Sequence, residues 1–192
     1  MNICVYGSSS DMIDKGYLEA GVLLGEEIAK RGHALVFGGG AQGLMGAAAR
    51  GTAKYGGKII GVAPSFFKVD GALFPDCREF IYTETMRERK QILEERSDAF
   101  IMTPGGVGTY EEFFEMVTLK QLGKTTKAIA VLNTGGFYND MNMLMENLAE
   151  KGFMKEKSLE LYRLLSTPKE VLDYIEGYKP EKYDIRNMKY IK

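Results

Sequence analysis

The sequence predicts an α/β protein with a doubly wound, mostly parallel sheet of about seven strands and helices on both faces. Short segments that are apolar throughout alternate with longer amphipathic segments along the chain. Strands that are apolar on both faces are typical of parallel sheets covered by helices on either side. Because crossovers between parallel strands are right-handed, the alternation indicates a Rossmann-like fold. No linker or repeat divides residues 1–192, so we expect a single domain.

Seven segments have the length and apolar composition of buried strands. In chain order they are residues 3–6, 34–37, 58–62, 79–82, 99–102, 128–132 and 161–165. Six longer segments between and after them are predicted to be helices. These are residues 15–31, 43–55, 85–95, 109–122, 138–151 and 168–176. Gly43 and Gly46 are spaced by three residues, and we expect them to let their helix pack tightly on the sheet.

The composition excludes several classes of protein. Hydrophobic residues make up 45% and charged residues 27%, which is typical of a globular protein. The net charge of −1 argues against a general nucleic-acid-binding protein. No apolar run approaches the roughly 18 residues that a membrane-spanning helix needs. Residues 178–192 carry five Lys or Arg against two Asp or Glu, and we interpret this basic tail as a peripheral terminus.

Cysteine and histidine are too rare for a disulfide framework or a four-ligand zinc site. The chain contains two cysteines, Cys4 and Cys77, and the single histidine His33. We therefore predict no metal, and a reducing, cytoplasmic location. The first residues lack the basic and long apolar regions of a signal peptide, in agreement with that location.

Residues that can bind ligands follow four of the predicted strands. Ligands of doubly wound folds bind at the carboxyl ends of the strands, so we expect these four junctions to form one site. The first junction, Gly7-Ser8-Ser9-Ser10-Asp11, lacks the G-x-G-x-x-G spacing of a dinucleotide-binding turn. Ser8 is explained either by turn formation or by contact with a phosphate or ribose. The three consecutive glycines Gly38, Gly39 and Gly40, in the second junction, indicate close approach of a ligand or of another loop, or else a purely structural turn.

The fifth predicted strand leads into the segment Pro104-Gly105-Gly106-Val107-Gly108-Thr109-Tyr110-Glu111-Glu112. A glycine-rich turn before a helix lets backbone N–H groups bind a phosphate. The two glutamates are favourable near the positive end of the helix dipole, but they would repel a phosphate. Their chemistry suits the hydroxyls of a ribose or the positive charge of an oxocarbenium ion. Thr118 falls on roughly the same helix face, two turns beyond Glu111.

Three basic residues open the helix after the fourth strand. Arg87, Arg89 and Lys90 stand where the helix dipole disfavours positive charge. Two interpretations remain open: the three residues face a bound anion, or they form a solvated surface paired with nearby glutamates.

The motif Met86-x-x-Arg89-Lys90, followed by Pro104-Gly105-Gly106-x-Gly108-Thr109-x-Glu111-Glu112, closely resembles the LOG family. These proteins are cytokinin riboside 5′-monophosphate phosphoribohydrolases, often mislabelled as lysine decarboxylases. The resemblance extends to the glycines at 38–40, 43 and 46 and to Thr118, and it spans the chain from the first strand to about residue 132. Arg87 stands where many members have histidine. Lysine decarboxylation ordinarily needs a Schiff-base lysine for pyridoxal phosphate, and no lysine stands in a context that suggests one.

The resemblance implies hydrolysis of the N-glycosidic bond of a purine nucleoside 5′-monophosphate, by a homodimer without metal or redox cofactor. It implies that Arg89 and Glu112 are catalytic. It also implies that Gly106, Gly108 and Thr109 bind the phosphate, and that Lys90, Glu111 and Thr118 contact the substrate. The turns themselves add further predicted substrate-binding residues, which are Ser8, Gly39, Gly40 and Gly105.

Two other classes of protein compete with this hypothesis. A nucleotide-binding or carrier protein could use the same turns without catalysis, although it would not need Glu111 and Glu112 beside its phosphate turn. An NAD-dependent oxidoreductase is disfavoured because the dinucleotide-binding turn is absent. An apolar pocket for the base cannot be placed from sequence, and its candidates are Phe66, Phe67, Met86 and the methionine-rich helix near Met141.

Overall fold

The computed structural model describes residues 1–190 and contains one seven-stranded sheet. The strands are β1 Asn2–Tyr6, β2 Ala34–Phe37, β3 Ile59–Pro64, β4 Glu79–Thr83, β5 Ala99–Met102, β6 Ala128–Leu132 and β7 Arg163–Leu165. The helices are α1 Lys15–Lys30, α2 Gly43–Lys54, α3 Met86–Glu95, α4 Val107–Gln121, α5 Asn139–Glu150, α6 Pro168–Gly177 and α7 Ile185–Met188. Short 3₁₀ helices lie at Ser65–Phe67, Thr134–Gly136 and Glu156–Leu161.

The strand order is β4-β3-β2-β1-β5-β6-β7, and neighbouring strands are parallel throughout. The chain builds one half of the sheet outward from β1 and then returns to add β5 on the other side of β1. The predicted Rossmann-like class is therefore confirmed, and the sheet is wholly rather than mostly parallel. The place where the order reverses, between β1 and β5, is the topological switch point at which such sheets bind ligands.

Each face of the sheet has its own apolar core, because successive side chains of a strand point to opposite faces. Ile3 and Val5 pack with α1, α2 and α6 on one face. Cys4 and Tyr6 pack with α3, α4 and α5 on the other. All four side chains are buried, which explains why β1 is apolar throughout.

The predicted boundaries agree with the structure within two residues. Helix α4 begins two residues earlier than predicted, because Gly106 is already the extended N-cap residue and Val107 begins the helix. β7 is shorter than predicted, because residues up to Leu161 form a 3₁₀ helix instead. The connection from β3 to β4 contains only the 3₁₀ helix at Ser65–Phe67.

Gly43 and Gly46 have a different role from the one predicted. A Cβ on Gly43 would lie 2.3 Å from the carbonyl oxygen of Ser8, and one on Gly46 would lie 1.9 Å from that of Ala41. The two glycines therefore let α2 begin close against the turns after β1 and β2, rather than close against the sheet. Gly43 also has a φ of +63°, which favours glycine.

The basic tail is partly packed onto the body of the protein. Tyr183 and Met188 are buried in the core on the α4 and α5 face, whereas Ile185 is 41% exposed. The predicted tail extends to residue 192, and its last two residues lie outside the described part of the chain. Among the described helices, none combines the length and the apolar character needed to cross a bilayer.

Lys120, near the end of α4, is a buried cation that forms no ion pair within the described residues, although the more distant charge of Glu181 favours its protonated form. Its side chain is fully buried, and its Nζ has no hydrogen-bond partner among the described residues. The ammonium group lies 4.6 Å from the centre of the Tyr178 ring. Burial lowers the pKa of Lys120 to about 8.

We expect Lys120→Met to stabilise the protein by about 2 kcal/mol at pH 7, raising Tm by roughly 5 °C. Below pH 8 both the folded and the unfolded chain carry the Lys120 charge, so the folded protein bears the whole cost of burying it. Between pH 8 and about 10.5 the folded form releases the proton first, so the advantage of methionine should shrink.

Thermal unfolding between pH 6 and 10 measures this effect of Lys120→Met. The exposed neighbour Lys124 supplies the control, since Lys124→Met should leave Tm nearly unchanged at every pH. A stabilisation that does not vary with pH would contradict the explanation.

Candidate active site

A cavity of about 660 Å³ lies at the carboxyl ends of β1, β2 and β5. Its walls come from the four junctions that the sequence singled out, together with the segment after β3. The lining residues are Gly7, Ser8, Ser9, Ser10, Gly38, Gly40, Gln42, Met45, Phe67, Ala72, Leu73, Met86, Arg89, Gly106, Val107, Gly108, Thr109, Glu111 and Glu112. The predicted convergence of these junctions is present in the structure.

The turn after β5 offers free backbone N–H groups to the cavity. Gly106 is the N-cap of α4, and the first N–H groups of a helix have no acceptor within that helix. A Cβ on Gly106 or Gly108 would meet no protein atom within 4 Å, so the space beside both residues is open to a ligand. Val107 is 86% exposed at the same place. These N–H groups and the helix dipole together favour an anion.

Gly105 supports this turn rather than lining the cavity. A Cβ on Gly105 would lie 2.2 Å from the Oγ1 of Thr109 and 3.0 Å from the backbone nitrogen of Ser8. Glycine is therefore required for the turns after β1 and β5 to pack together. The backbone N–H of Ser8 donates to the carbonyl oxygen of Pro104 at 3.0 Å, which links the two turns directly.

Ser8 combines the two interpretations left open by the sequence. Its Oγ accepts a hydrogen bond from the backbone N–H of Ser10 at 3.0 Å, which is the predicted turn-forming role. The residue also lines the cavity. Asp11 accepts from the N–H of Gly43 at 2.7 Å and so caps the beginning of α2.

The three glycines after β2 have three different environments. A Cβ on Gly38 would lie 2.1 Å from Nη2 of Arg89, so the absence of a side chain makes room for that guanidinium. Gly39 has a φ of +77° and faces the Phe80 ring, away from the cavity, whereas Gly40 lines it. Gly38 also lines the cavity, as the run of three glycines indicated, although only Gly39 and Gly40 were predicted to bind substrate.

Arg89 and Glu112 form an ion pair at the wall of the cavity. Arg89 Nη1 lies 2.6 Å from Glu112 Oε1, and the two side chains are only 9% and 11% exposed. Arg89 also donates from Nε to the carbonyl oxygen of Val62 at 3.3 Å, which fixes the guanidinium at the end of β3. Burial raises the pKa of Glu112 above its usual range, and the charge of Arg89 opposes that rise.

Lys90 forms a second ion pair on the outer side of the first. Its Nζ lies 2.5 Å from Glu111 and 3.0 Å from Glu115, and the hydrogen bond to Glu111 is the main reason that its pKa is raised. Arg89 and Lys90 thus pair with α4, rather than with the glutamates of their own helix. Glu111 lines the cavity, so Lys90 neutralises a carboxylate that would repel a phosphate there.

Four predicted substrate-binding residues do not line the cavity: Gly39, Lys90, Gly105 and Thr118. Thr118 is exposed on α4, about 9 Å along the helix axis from Glu112, since each residue advances a helix by about 1.5 Å. Spacing along a helix was the signal for Thr118, but the cavity ends within the first turns of α4. Contact of these four residues with a substrate stays a prediction.

One side of the cavity is apolar. Of the candidates for a base pocket, Phe67 and Met86 line it, whereas Phe66 and Met141 do not. Met45, Ala72 and Leu73 complete this apolar wall, and the sequence offered no signal for them. Within residues 1–190 no group of three or more His, Cys, Asp or Glu is arranged to hold a metal ion.

The fold and the site define a Rossmann-like protein with an anion-binding turn and a buried carboxylate–guanidinium pair in one cavity. The family model described as "Possible lysine decarboxylase" matches residues 45–175 of the chain. The chain belongs to this family, the LOG family, as its motifs predicted.

Two relatives that the chain resembles are plant enzymes. A cytokinin riboside 5′-monophosphate phosphoribohydrolase of Arabidopsis thaliana is 35% identical over 178 residues, covering 93% of this chain and 83% of the relative. One of Oryza sativa subsp. japonica is 35% identical over 179 residues, covering 93% and 74%.

Solved structures with the same fold include carriers of a cofactor. The molybdenum cofactor binding protein of Rippkaea orientalis has a TM-score of 0.67 and 24% identity, covering 92% of this chain and 94% of that protein. The Moco carrier protein of Chlamydomonas reinhardtii has a TM-score of 0.69 and 22% identity, covering 91% and 94%. At these identities the likeness confirms the fold alone.

Proposed function

We propose that the protein hydrolyses the N-glycosidic bond of purine nucleoside 5′-monophosphates, of cytokinin type or AMP, to free base and ribose 5-phosphate. The observation that carries the proposal is the buried Arg89–Glu112 pair, which shares one cavity with the anion-binding turn of α4. The names of the relatives, at 35% identity over nearly the whole chain, support the same reaction.

The phosphate would bind to the N–H groups at residues 106–108, where the helix dipole adds to their attraction. Glu112 lies about one helical turn further along α4, a spacing that suits the distance from the phosphate to the sugar of a nucleotide. As the bond to the base breaks, positive charge develops at C1′ of the ribose. The Glu112 carboxylate can stabilise that charge or orient the attacking water.

Arg89 supports Glu112 and is not a proton donor. An arginine guanidinium keeps its proton in proteins at neutral pH, so it cannot serve as a general acid. Its contact with Glu112 favours the ionised carboxylate against the effect of burial. Arg89 also lines the cavity, where it can contact the bound nucleotide.

The apolar wall supports a purine substrate with an apolar substituent. Met45, Phe67, Leu73 and Met86 lie in the cavity together with the phosphate turn. A planar base and an N6-isoprenoid group would bury apolar surface against these side chains. The wall also accommodates adenine itself, so AMP is included in the proposal.

The lysine decarboxylase description does not fit the residues of the cavity. Pyridoxal phosphate chemistry needs a lysine amine that forms a Schiff base with the cofactor. No lysine lines the cavity within the described chain, and the amine of Lys90, which lies outside the lining, is paired with Glu111 and Glu115.

The direct test is to incubate the protein with AMP and with N6-isopentenyladenosine 5′-monophosphate, and to measure free base by chromatography. The matching nucleosides without phosphate are the control, and we expect base release from them to be at least about 100-fold slower. Binding of a monophosphate without release of base would support the non-catalytic carrier protein instead. Equal rates with and without phosphate would contradict the assigned phosphate turn.

The rate of the reaction should fall at low pH, and the fall should begin at a pH above the usual pKa of a glutamate side chain. The ionised form of Glu112 is the active form, and burial raises its pKa above the usual 4.5. We therefore expect kcat/KM to fall as the pH drops through that raised value. A pH–rate profile between 4 and 8 measures the limb, and a rate that stays constant down to pH 4.5 would contradict this role.

Two further parts of the proposal concern the state of the protein in the cell. A homodimer is supported by the exposed Met143 and Leu144 on α5, which are 53% and 54% accessible. Sedimentation analysis tests this assembly. A cytoplasmic location is supported by Cys4 and Cys77, both of which are free thiols.

A further inference from the structure

Tyr138, at the junction between β6 and α5, is the largest of the fully buried side chains. The sequence suggested nothing about it beyond a helix boundary. Its hydroxyl donates a hydrogen bond of 2.7 Å to the carbonyl oxygen of Thr103. Burying a phenol hydroxyl without a hydrogen-bond partner costs free energy. The acceptor of this hydrogen bond therefore indicates which part of the protein Tyr138 holds in place.

Thr103 and Pro104 connect β5 to the turn that offers N–H groups to the cavity. The N–H and Oγ1 of Thr103 both donate to the carbonyl oxygen of Tyr6, at 2.8 and 2.9 Å. Pro104 accepts from the N–H of Ser8. The carbonyl of Thr103, between these two anchors, is the group that Tyr138 holds.

The Tyr138 oxygen also faces the beginning of the turn. Burial raises the pKa of this phenol, and the nearby backbone of Gly105 opposes the rise. The hydroxyl oxygen therefore lies close to the peptide groups on both sides of Pro104, and it donates its hydrogen bond to the carbonyl on the Thr103 side. Gly105 and Gly106 are conformationally free as residues, so the orientation of the turn depends on such external contacts.

Tyr138 is itself held firmly. Its backbone N–H donates to Oδ1 of Asn133 at 2.7 Å, and Nδ2 of Asn133 in turn donates a hydrogen bond to Oδ1 of Asn139. Its ring meets Tyr110 and Phe137 edge to face, with centroid distances of 5.6 and 4.9 Å. A hydroxyl on such a rigid support can define the position of the turn.

We propose that Tyr138 is a positioning residue for substrate binding. Its hydroxyl fixes the Thr103 carbonyl, directly before Pro104, and so directs the N–H groups at residues 106–108 toward the 5′-phosphate. This inference rests on the proposed function of the cavity and adds a residue from the β6–α5 junction to it. Tyr138 does not line the cavity, so its effect reaches the substrate through the turn.

The variant Tyr138→Phe keeps the ring and removes only the hydroxyl. We expect KM for the nucleoside monophosphate and Kd for ribose 5-phosphate to rise about tenfold, since a misdirected turn weakens several phosphate contacts at once. Binding of free adenine should stay within about twofold of the unmodified protein, and kcat should change less than KM. Calorimetry with ribose 5-phosphate, inorganic phosphate and adenine separates these effects.

Tyr162→Phe is the matched control. Tyr162 is also buried, and its hydroxyl donates to Oδ1 of Asn142 at 3.3 Å, without contact to the turn. Both variants should lose a similar few degrees of Tm, but only Tyr138→Phe should weaken phosphate binding. Unchanged ribose 5-phosphate affinity in Tyr138→Phe, or the same loss in both variants, would overturn the proposal.

Failure of the proposed function has a different signature. In that case the unmodified protein releases no base from any monophosphate. Calorimetry with inorganic phosphate still shows whether the turn of the two variants binds phosphate with different affinity. If the unmodified protein binds neither phosphate nor ribose 5-phosphate, the positioning role is overturned as well.

Discussion

Replacing Glu112 with glutamine is expected to lower base release at least about a thousandfold while leaving the fold intact. Glutamine has nearly the same size, and its amide oxygen can still accept the hydrogen bond from Arg89 Nη1. It lacks the negative charge that stabilises positive charge at C1′ or activates water. Loss of such a group typically costs between about 10² and 10⁴ in rate.

The effect of Glu112→Gln is measured as kcat for free-base release, with thermal unfolding as a check on the fold. Glu115→Gln is the matched control, because Glu115 lies on the same helix and pairs with Lys90 outside the cavity. This control should keep kcat within about threefold, as expected for a group that does not act in the transition state. Near-normal hydrolysis by Glu112→Gln would refute the catalytic assignment.

Replacing Arg89 with alanine is expected to abolish base release and also to destabilise the protein by about 3 kcal/mol. The change leaves Glu112 buried without its counter-ion, and breaking a buried pair from one side is strongly destabilising. Without Arg89 the pKa of Glu112 rises further, because burial raises it and the opposing positive charge is gone, so the ionised form becomes less populated. A protonated Glu112 has lost the charge that the reaction needs.

The double variant Arg89→Ala/Glu112→Gln separates the two consequences. It contains no stranded charge, so it should recover part of the lost Tm without recovering activity. Arg87→Ala is the control on the same helix, and Arg87 is exposed and outside the cavity. Activity that survives Arg89→Ala, or a double variant less stable than the single one, would contradict the pairing described above.

Much of the fold could be predicted from the local pattern of apolar and polar residues. The strands β2, β5 and β6 have the predicted bounds, because short apolar runs between amphipathic helices leave few alternatives. The beginning of β7 was less accurate, since Leu161 is equally compatible with a strand and with the 3₁₀ helix that it forms. The sequence did not indicate which atoms pack against a glycine, as the neighbours of Gly43 and Gly46 show.

Residues of the candidate site could be predicted where a sequence motif places several of them on one turn. Ser8, Gly40, Gly106, Gly108, Thr109 and Glu111 were predicted to bind substrate, and all of them line the cavity. Gly39 and Thr118 do not, because the direction a residue faces depends on backbone rotation and on where the cavity ends. The glycine run placed Gly38 at the site, but its role in admitting the Arg89 side chain from another helix could not be predicted for the same reason.

The sequence by itself determined the α/β alternation and the turns that carry the site. These properties depend on hydrophobic periodicity and on the conformational freedom of glycine, which act over a few residues. Only the tertiary structure decided that Arg89 meets Glu112, 23 residues away, and that Tyr138 holds Thr103, 35 residues away. Such contacts depend on strand order and on the packing of helices across the sheet, because residues far apart in sequence become neighbours only when β5 is placed beside β1.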